Sequence, residues 1–281
     1  MRRNPTADDQ REEELAAVVR EVAGEAHSFH ADGPQIATWV LAEMWERGPA
    51  DPDRVASAAF VASMAMATDA LRGARAALYC CDFGGFSVQL RRGHELMTLA
   101  LAMAINPAIS EEWLSGKKVN QADLRKAIES ASPAVSENLR SDYAHLSNEA
   151  HGRVQSLSAY ADQNERFSWP VEAADVNRQH VWSAHMTYCA FTLAHLGILH
   201  WMGRGSWGFL SREIREVTEA YYDALATYVT GLQDSGGWWM VSPAESRGWL
   251  LGSYGMSWEN RELASAKAAT SPSPPVTDSR P

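Results

Sequence analysis

Arg140, Tyr143, Ser147 and His151 are the residues whose types and spacing come nearest to chemistry in this chain. A guanidinium can meet a developing anion, an imidazole can carry a proton near neutral pH, and a hydroxyl can donate or accept beside either. All four fall in the stretch 132–158, S-P-A-V-S-E-N-L-R-S-D-Y-A-H-L-S-N-E-A-H-G-R-V-Q-S-L-S, which reads as one helix. Ser132 followed by Pro133 is a helix start, a serine oxygen for the free N–H groups and then a residue that needs none. Val135, Leu139, Tyr143, Leu146, Ala150, Val154 and Leu157 recur every three or four residues as an apolar stripe. At about 100° per residue, Ser147 and His151 lie within about 20° of Arg140 along one edge of that stripe.

A second polar set sits on the predicted helix 86–105, F-S-V-Q-L-R-R-G-H-E-L-M-T-L-A-L-A-M-A-I. Arg91 and Glu95 are spaced i, i+4, and Arg92 and Glu95 i, i+3, so either arginine can pair with the glutamate. The second half of this helix is apolar all round and is expected inside the molecule. On that reading Glu95 accepts from Arg92 and from Tyr143 or His151 across the two helices, and Glu95→Ala costs several kcal/mol by stranding a buried arginine.

Motifs with defined mechanics are missing. The chain has no G-x-S-x-G, Walker loop or H-E-x-x-H, and Gly203-x-Gly205-x-x-Gly208 follows a helix where a dinucleotide site needs a strand. No metal set or cofactor site is read. His27-Ser-Phe-His30-Ala-Asp32 lacks a third ligand nearby and is expected as a loop leading to Gly33-Pro34. His180, His185, His195 and His200 are never at i, i+4 of one another. Cys80, Cys81 and Cys189 form no C-x-x-C, and all three are expected as reduced core residues.

The 281 residues carry 46% hydrophobic residues with 11 Trp and 10 Met, enough for one sizeable core. A formal net charge of -10 works against broad nucleic-acid binding and against docking on an anionic membrane. Neither of the most apolar windows reaches the roughly 20 residues of a membrane span, and the N-terminus has no apolar run of the secretory kind. The expectation is a cytoplasmic protein with no membrane role.

The elements that would position the polar groups are helices throughout. Residues 1–9 are expected to be frayed and 10–262 to form one helical domain, any internal break falling near 160–175. Helices are predicted over about 10–27, 34–47, 52–80, 86–105, 109–114, 121–129, 132–158, 176–202 and 210–232, with Asp82-Phe-Gly-Gly85 as a turn between antiparallel neighbours. The segments 236–241 and 248–258, holding Trp238, Trp239, Trp249 and Trp258, read as extended wrapping, and 263–281 as a disordered tail. The fold class is all-α, an antiparallel helical bundle with irregular Trp-rich C-terminal segments.

The runs R-R-G-H-E-L-M-T-L-A-L-A-M, N-P-A-I-S-E-E-W-L-S-G-K and L-R-S-D-Y-A-H-L-S-N-E-A-H-G resemble a group of uncharacterised bacterial helical proteins of HEPN-like appearance. That group has an R-x-x-E helix, an N-P…W-x-x-G connector and a Y-x-x-L-S-x-x-x-H helix. The resemblance covers roughly 83–153 and marks Arg92, Glu95, Tyr143, Ser147 and His151 as shared positions. It implies an HEPN-like core. Many HEPN proteins are metal-independent ribonucleases with an R-x4-6-H motif, whose letters Arg140 to His145 match. Regular helix puts those two about 140° apart, and Arg140 and His151, although aligned, about 16 Å apart. The reading of choice is therefore a non-enzymatic interaction or accessory protein, its partner another protein or a second copy, with the polar groups satisfying one another across the bundle. Two alternatives stand beside it. One is an RNA-cleaving enzyme using Arg140 with His145 or His151; the other is a cluster that receives a small anion or a peptide.

Overall fold

A computed structural model of the chain describes residues 7–47, 54–150, 176–204 and 210–234. These form α1 (Ala7–Ala23), a 3-10 turn (Gly24–Ser28), α2 (Phe29–Arg47), α3 (Arg54–Tyr79), α4 (Phe83–Ile105), α5 (Ala108–Leu114), α6 (Gln121–Ala131), α7 (Pro133–Ala150), α8 (Arg178–Arg204) and α9 (Arg212–Asp234). Among the described residues there is no strand, and the protein is an all-α bundle. His151, the far end of the 132–158 helix, the polar break, the G-x-G-x-x-G letters beyond Arg204, the Trp-rich segments and the C-terminal tail lie outside the described residues.

The centre is the antiparallel pair α3 and α4. Ala67, Ala70 and Ala74 are buried along α3, and Gly93 of α4 packs beside Ala70 and the Ala67 carbonyl, so small side chains set the close approach. The connection is as short as the sequence indicates. Asp82 caps α4 by accepting from the Gly85 amide at 2.9 Å, although Phe83 to Gly85 already belong to the helix. Cys81 makes the reversal with a φ of 52°, a conformation that costs a non-glycine residue, and holds its place as part of the main core.

Three apolar clusters surround this pair. The largest joins α1, α2, α3, α4 and α8 through residues such as Val19, Val40, Met64, Leu71, Leu90, Met97, Tyr188 and Leu199. A second, at the far end of α4, takes in α5, α6 and α7 through Leu101, Met103, Ile109, Leu124, Ile128 and Leu139. The third lies between α8 and α9 around Met186, Leu193, Leu225 and Val229. The methionines named here are core filler, as their composition implies. No helix among the described residues is long and apolar enough to cross a membrane.

Two further boundaries differ from the sequence reading. Ala7, Asp8 and Asp9 are already helical. The segment read as a loop over 27–33 is in fact a 3-10 turn and the first turn of α2, with Pro34 inside the helix. Pro34 has no N–H for the carbonyl of His30, four residues back. The Tyr188 hydroxyl donates to that carbonyl at 3.1 Å instead, so α8 supplies the bond that the proline removes. Gly33 allows the contact: a Cβ there would stand 2.3 Å from Thr192 Cγ2 and 2.8 Å from Tyr221 Oη. Gly33→Ala is therefore expected to destabilise the fold by about 1–3 kcal/mol, although alanine is the better helix former. The urea midpoint of the variant should fall; an unchanged or higher midpoint would show that α2 has room to move off α8.

Candidate functional site

The α4–α7 contact gathers part of the expected polar set. Arg91 Nε donates to Glu95 Oε1 at 3.1 Å, and its Nη2 donates to the Tyr143 hydroxyl at 3.0 Å. The Arg91 guanidinium also lies 5.2 Å from the Tyr143 ring centre, and Arg125 of α6 approaches the same ring at 5.6 Å. The phenol thus holds three helices together. The glutamate's partner is Arg91 where the sequence reading favoured Arg92, and Arg92 is exposed. The reason is helical: i, i+4 with Arg91 on the α7 side reaches Tyr143 as well, which Arg92 one step round cannot do.

The remaining expected residues are spread out. Ser147 is half-buried on α7, whereas Arg140 is exposed and donates to both carboxylate oxygens of Glu137, at 3.0 and 2.5 Å. That pair holds the Glu137 carboxyl below its ordinary pKa, first through the hydrogen bond from Arg140 and then through its charge. Arg140, Glu137 and Ser136 of α7 line a cavity of about 340 Å³ with Arg125, Lys126 and Glu129 of α6. Its walls carry both signs of charge. His145 is on α7, with its side chain outside the described residues, as is all of His151.

A second constellation escapes sequence reasoning. His30 of α2, wholly buried, has Nε2 at 2.6 Å from Nδ1 of His185 on α8, also wholly buried. The outer nitrogens end on phenols: His30 Nδ1 lies 3.2 Å from Tyr79 Oη of α3, and His185 Nε2 lies 2.8 Å from Tyr228 Oη of α9. Four helices therefore contribute to one chain of hydrogen bonds. Cys189, one turn beyond His185, lies with its Sγ 3.8 and 3.9 Å from the two nitrogens of the His185 ring. His30, His185 and Cys189 are the set among the described residues whose ligating atoms could hold a metal, all within 4.8 Å of one another. One signal lies in the sequence: the i, i+4 partner of His185 is a cysteine, Cys189, and not a second histidine. His30 was hidden by the loop reading of 27–33. Of the three cysteines, Cys81 and Cys189 are buried as expected, and Cys80 is exposed.

Burial keeps these rings neutral. His30 is pushed well below the usual histidine range, by burial first and by its neighbour His185 second, and His185 falls to about 4 for the same leading reason. Burial pushes the Cys189 thiol up, which makes it a proton-bearing group at neutral pH. Comparison with known proteins gives no further guidance: no family model, curated protein or solved structure matches this chain.

Two expectations follow. The Arg91–Glu95 pair keeps 24% and 35% of its side-chain surface exposed, and Tyr143 remains a partner for Arg91 when Glu95 is gone. Glu95→Ala should therefore cost about 1 kcal/mol or less, not the several kcal/mol of a stranded buried charge. Tyr143→Phe should cost a similar amount. A urea denaturation series of the two single variants and the double variant checks both figures.

Two other buried histidines add to the acid sensitivity that His30 and His185 already confer. His94 is held down to about 3 by burial and by the Arg125 charge, with the Tyr143 and Phe191 rings nearby. His195 is held down to about 3 by burial, and its Nε2 meets Thr68 Oγ1 at 2.9 Å. The unfolded chain takes up these protons below pH about 6.5, while the folded chain refuses them until about 3. Stability is full above pH 6.5 and falls as pH drops towards 3, by about 1.4 kcal/mol per pH unit for each ring. Urea midpoints should decline steadily from pH 7 to 5, and His195→Gln should flatten that slope.

Proposed function

We propose that the chain is a non-enzymatic helical interaction or accessory protein of bacterial, cytoplasmic type, HEPN-like around α4 and α7. The observation that supports this reading is Arg91, bonded at once to Glu95 and Tyr143 and stacked on the Tyr143 ring. Groups committed to one another in this way fix how helices sit, as a satisfied polar network does. The partner is another protein or a second copy of the chain. Trp39 and Trp45 of α2, 45% and 66% exposed, offer the large aromatic surface that such contacts use.

The runner-up is an HEPN-type metal-independent endoribonuclease, with Arg140 neutralising a phosphate and His145 or His151 moving protons. Its arginine would first have to leave both oxygens of Glu137. Incubating a structureless RNA with the protein in chelator, alongside Arg140→Ala, His145→Ala and His151→Ala, separates the two. The expected result is no cleavage above buffer for any of the four. Cleavage by the wild type that disappears in Arg140→Ala and in one histidine variant overturns the proposal in favour of the enzyme.

A further inference from the structure

We propose that His30, His185 and Cys189 form a binding site for one thiophilic monovalent metal ion of the copper(I) class, enclosed between α2 and α8. The ligands would be His30 Nε2, His185 Nδ1 and Cys189 Sγ.

The first support is convergence. Three side chains from two helices bring ligating atoms within 4.8 Å of one another in a wholly buried position. An ion bonded at about 2.0 Å to nitrogen and 2.3 Å to sulfur would hold such atoms roughly 3.3–3.8 Å apart. The Cys189 to His185 separation of 3.8 Å already fits. The two inner nitrogens, at 2.6 Å, have to part by about 0.7 Å, and the thiol has to turn from beside the ring toward the gap that opens.

The second support is the outer partners. Metal-bound imidazole needs an acceptor for its other N–H, which fixes the tautomer and the ring plane. Tyr79 Oη at His30 Nδ1 and Tyr228 Oη at His185 Nε2 are placed to accept those protons. With an ion at the centre, both rings stay neutral and both outer N–H groups are satisfied.

Charge selects the ion. The thiol gives up its proton, Cys–SH + M⁺ → Cys–S–M + H⁺, so a monovalent cation on one thiolate and two neutral rings leaves no net charge in the core. A divalent ion such as Zn²⁺ would leave one positive charge there, with Arg75 close to Tyr79 and no buried carboxylate among the described residues. An uncompensated buried charge is heavily penalised. Thiolate with imidazole in a three-ligand set is also what soft monovalent copper favours over harder ions.

The test is anaerobic titration of the reduced, metal-free full chain with Cu(I) against the chromophoric chelator bicinchoninate. The wild type and Cys80→Ser should each take up one equivalent. Cys189→Ser and His185→Gln should bind at least tenfold more weakly, with circular dichroism confirming that they are folded. If those variants do not fold, X-ray absorption of the wild-type Cu(I) complex decides. One sulfur and two nitrogens about the metal support the site; two sulfurs, as the adjacent Cys80 and Cys81 would give, overturn it. Unchanged affinity in Cys189→Ser, no uptake, or tighter binding of Zn²⁺ than of Cu(I) likewise overturns it.

Discussion

The structure depends on one requirement: the large polar side chains that α8 buries, Tyr188, His185 and His195, must each meet a partner on a different helix. An imidazole or hydroxyl taken from water without a partner costs more than most single apolar contacts return. Tyr188 answers it with the His30 carbonyl of α2, His185 with His30 and with Tyr228 of α9, and His195 with Thr68 of α3. Apolar neighbours would accept a small slide of α8, since methionine and leucine repack at modest cost. Hydrogen bonds of about 3 Å do not accept such a slide. Polar pairing therefore sets the register that the apolar clusters then fill. Pro34 belongs to the same scheme, because it frees the one carbonyl on α2 that Tyr188 needs.

The other half of the bundle solves the same problem at its surface. Arg91, Glu95, Tyr143 and Arg125 tie α4, α6 and α7 above a separate apolar cluster, and water reaches the pair on one side. Such groups lose little if one partner is removed, because solvent can replace it. His94 lies between the two regimes. It is wholly buried on α4, with Tyr143 of α7 on one side and Phe191 of α8 on the other, so it faces both the surface network and the α8 core.

Apolar periodicity made most of the helices legible before any coordinates: α4, α5, α6, α8 and α9 begin and end within a few residues of where spacing and caps put them. It failed where local signals mislead. Gly33-Pro34 looks like a loop exit by composition, yet Pro34 sits in the second turn of α2, where a single missing donor can be replaced from another helix. The α4–α7 polar contact was legible as a cluster because its members repeat at helical spacing on two adjacent elements. Which arginine meets Glu95 was not, since i, i+3 and i, i+4 are both allowed until the position of Tyr143 is known. The buried histidine chain was invisible for a deeper reason. Its members are 49, 155 and 43 residues apart in sequence, and only tertiary packing relates them.

That chain also differs in kind from the surface network. Arg91 and Glu95 carry formal charges and have one satisfied arrangement. Tyr79, His30, His185 and Tyr228 are uncharged and have two. Protons can run from Tyr79 through His30 Nε2 and His185 Nε2 to Tyr228, or in the reverse order from Tyr228 through His185 Nδ1 and His30 Nδ1 to Tyr79, and every group is paired either way. Each pattern leaves both imidazoles neutral, and the Arg75 charge beside Tyr79 favours the order in which Tyr79 donates inward. A group placed between the two inner nitrogens would impose a third arrangement, with both outer N–H bonds pointing away from it at once. The core of this bundle is thus packed to a fixed register, while its chain of neutral rings and phenols admits more than one order of protons.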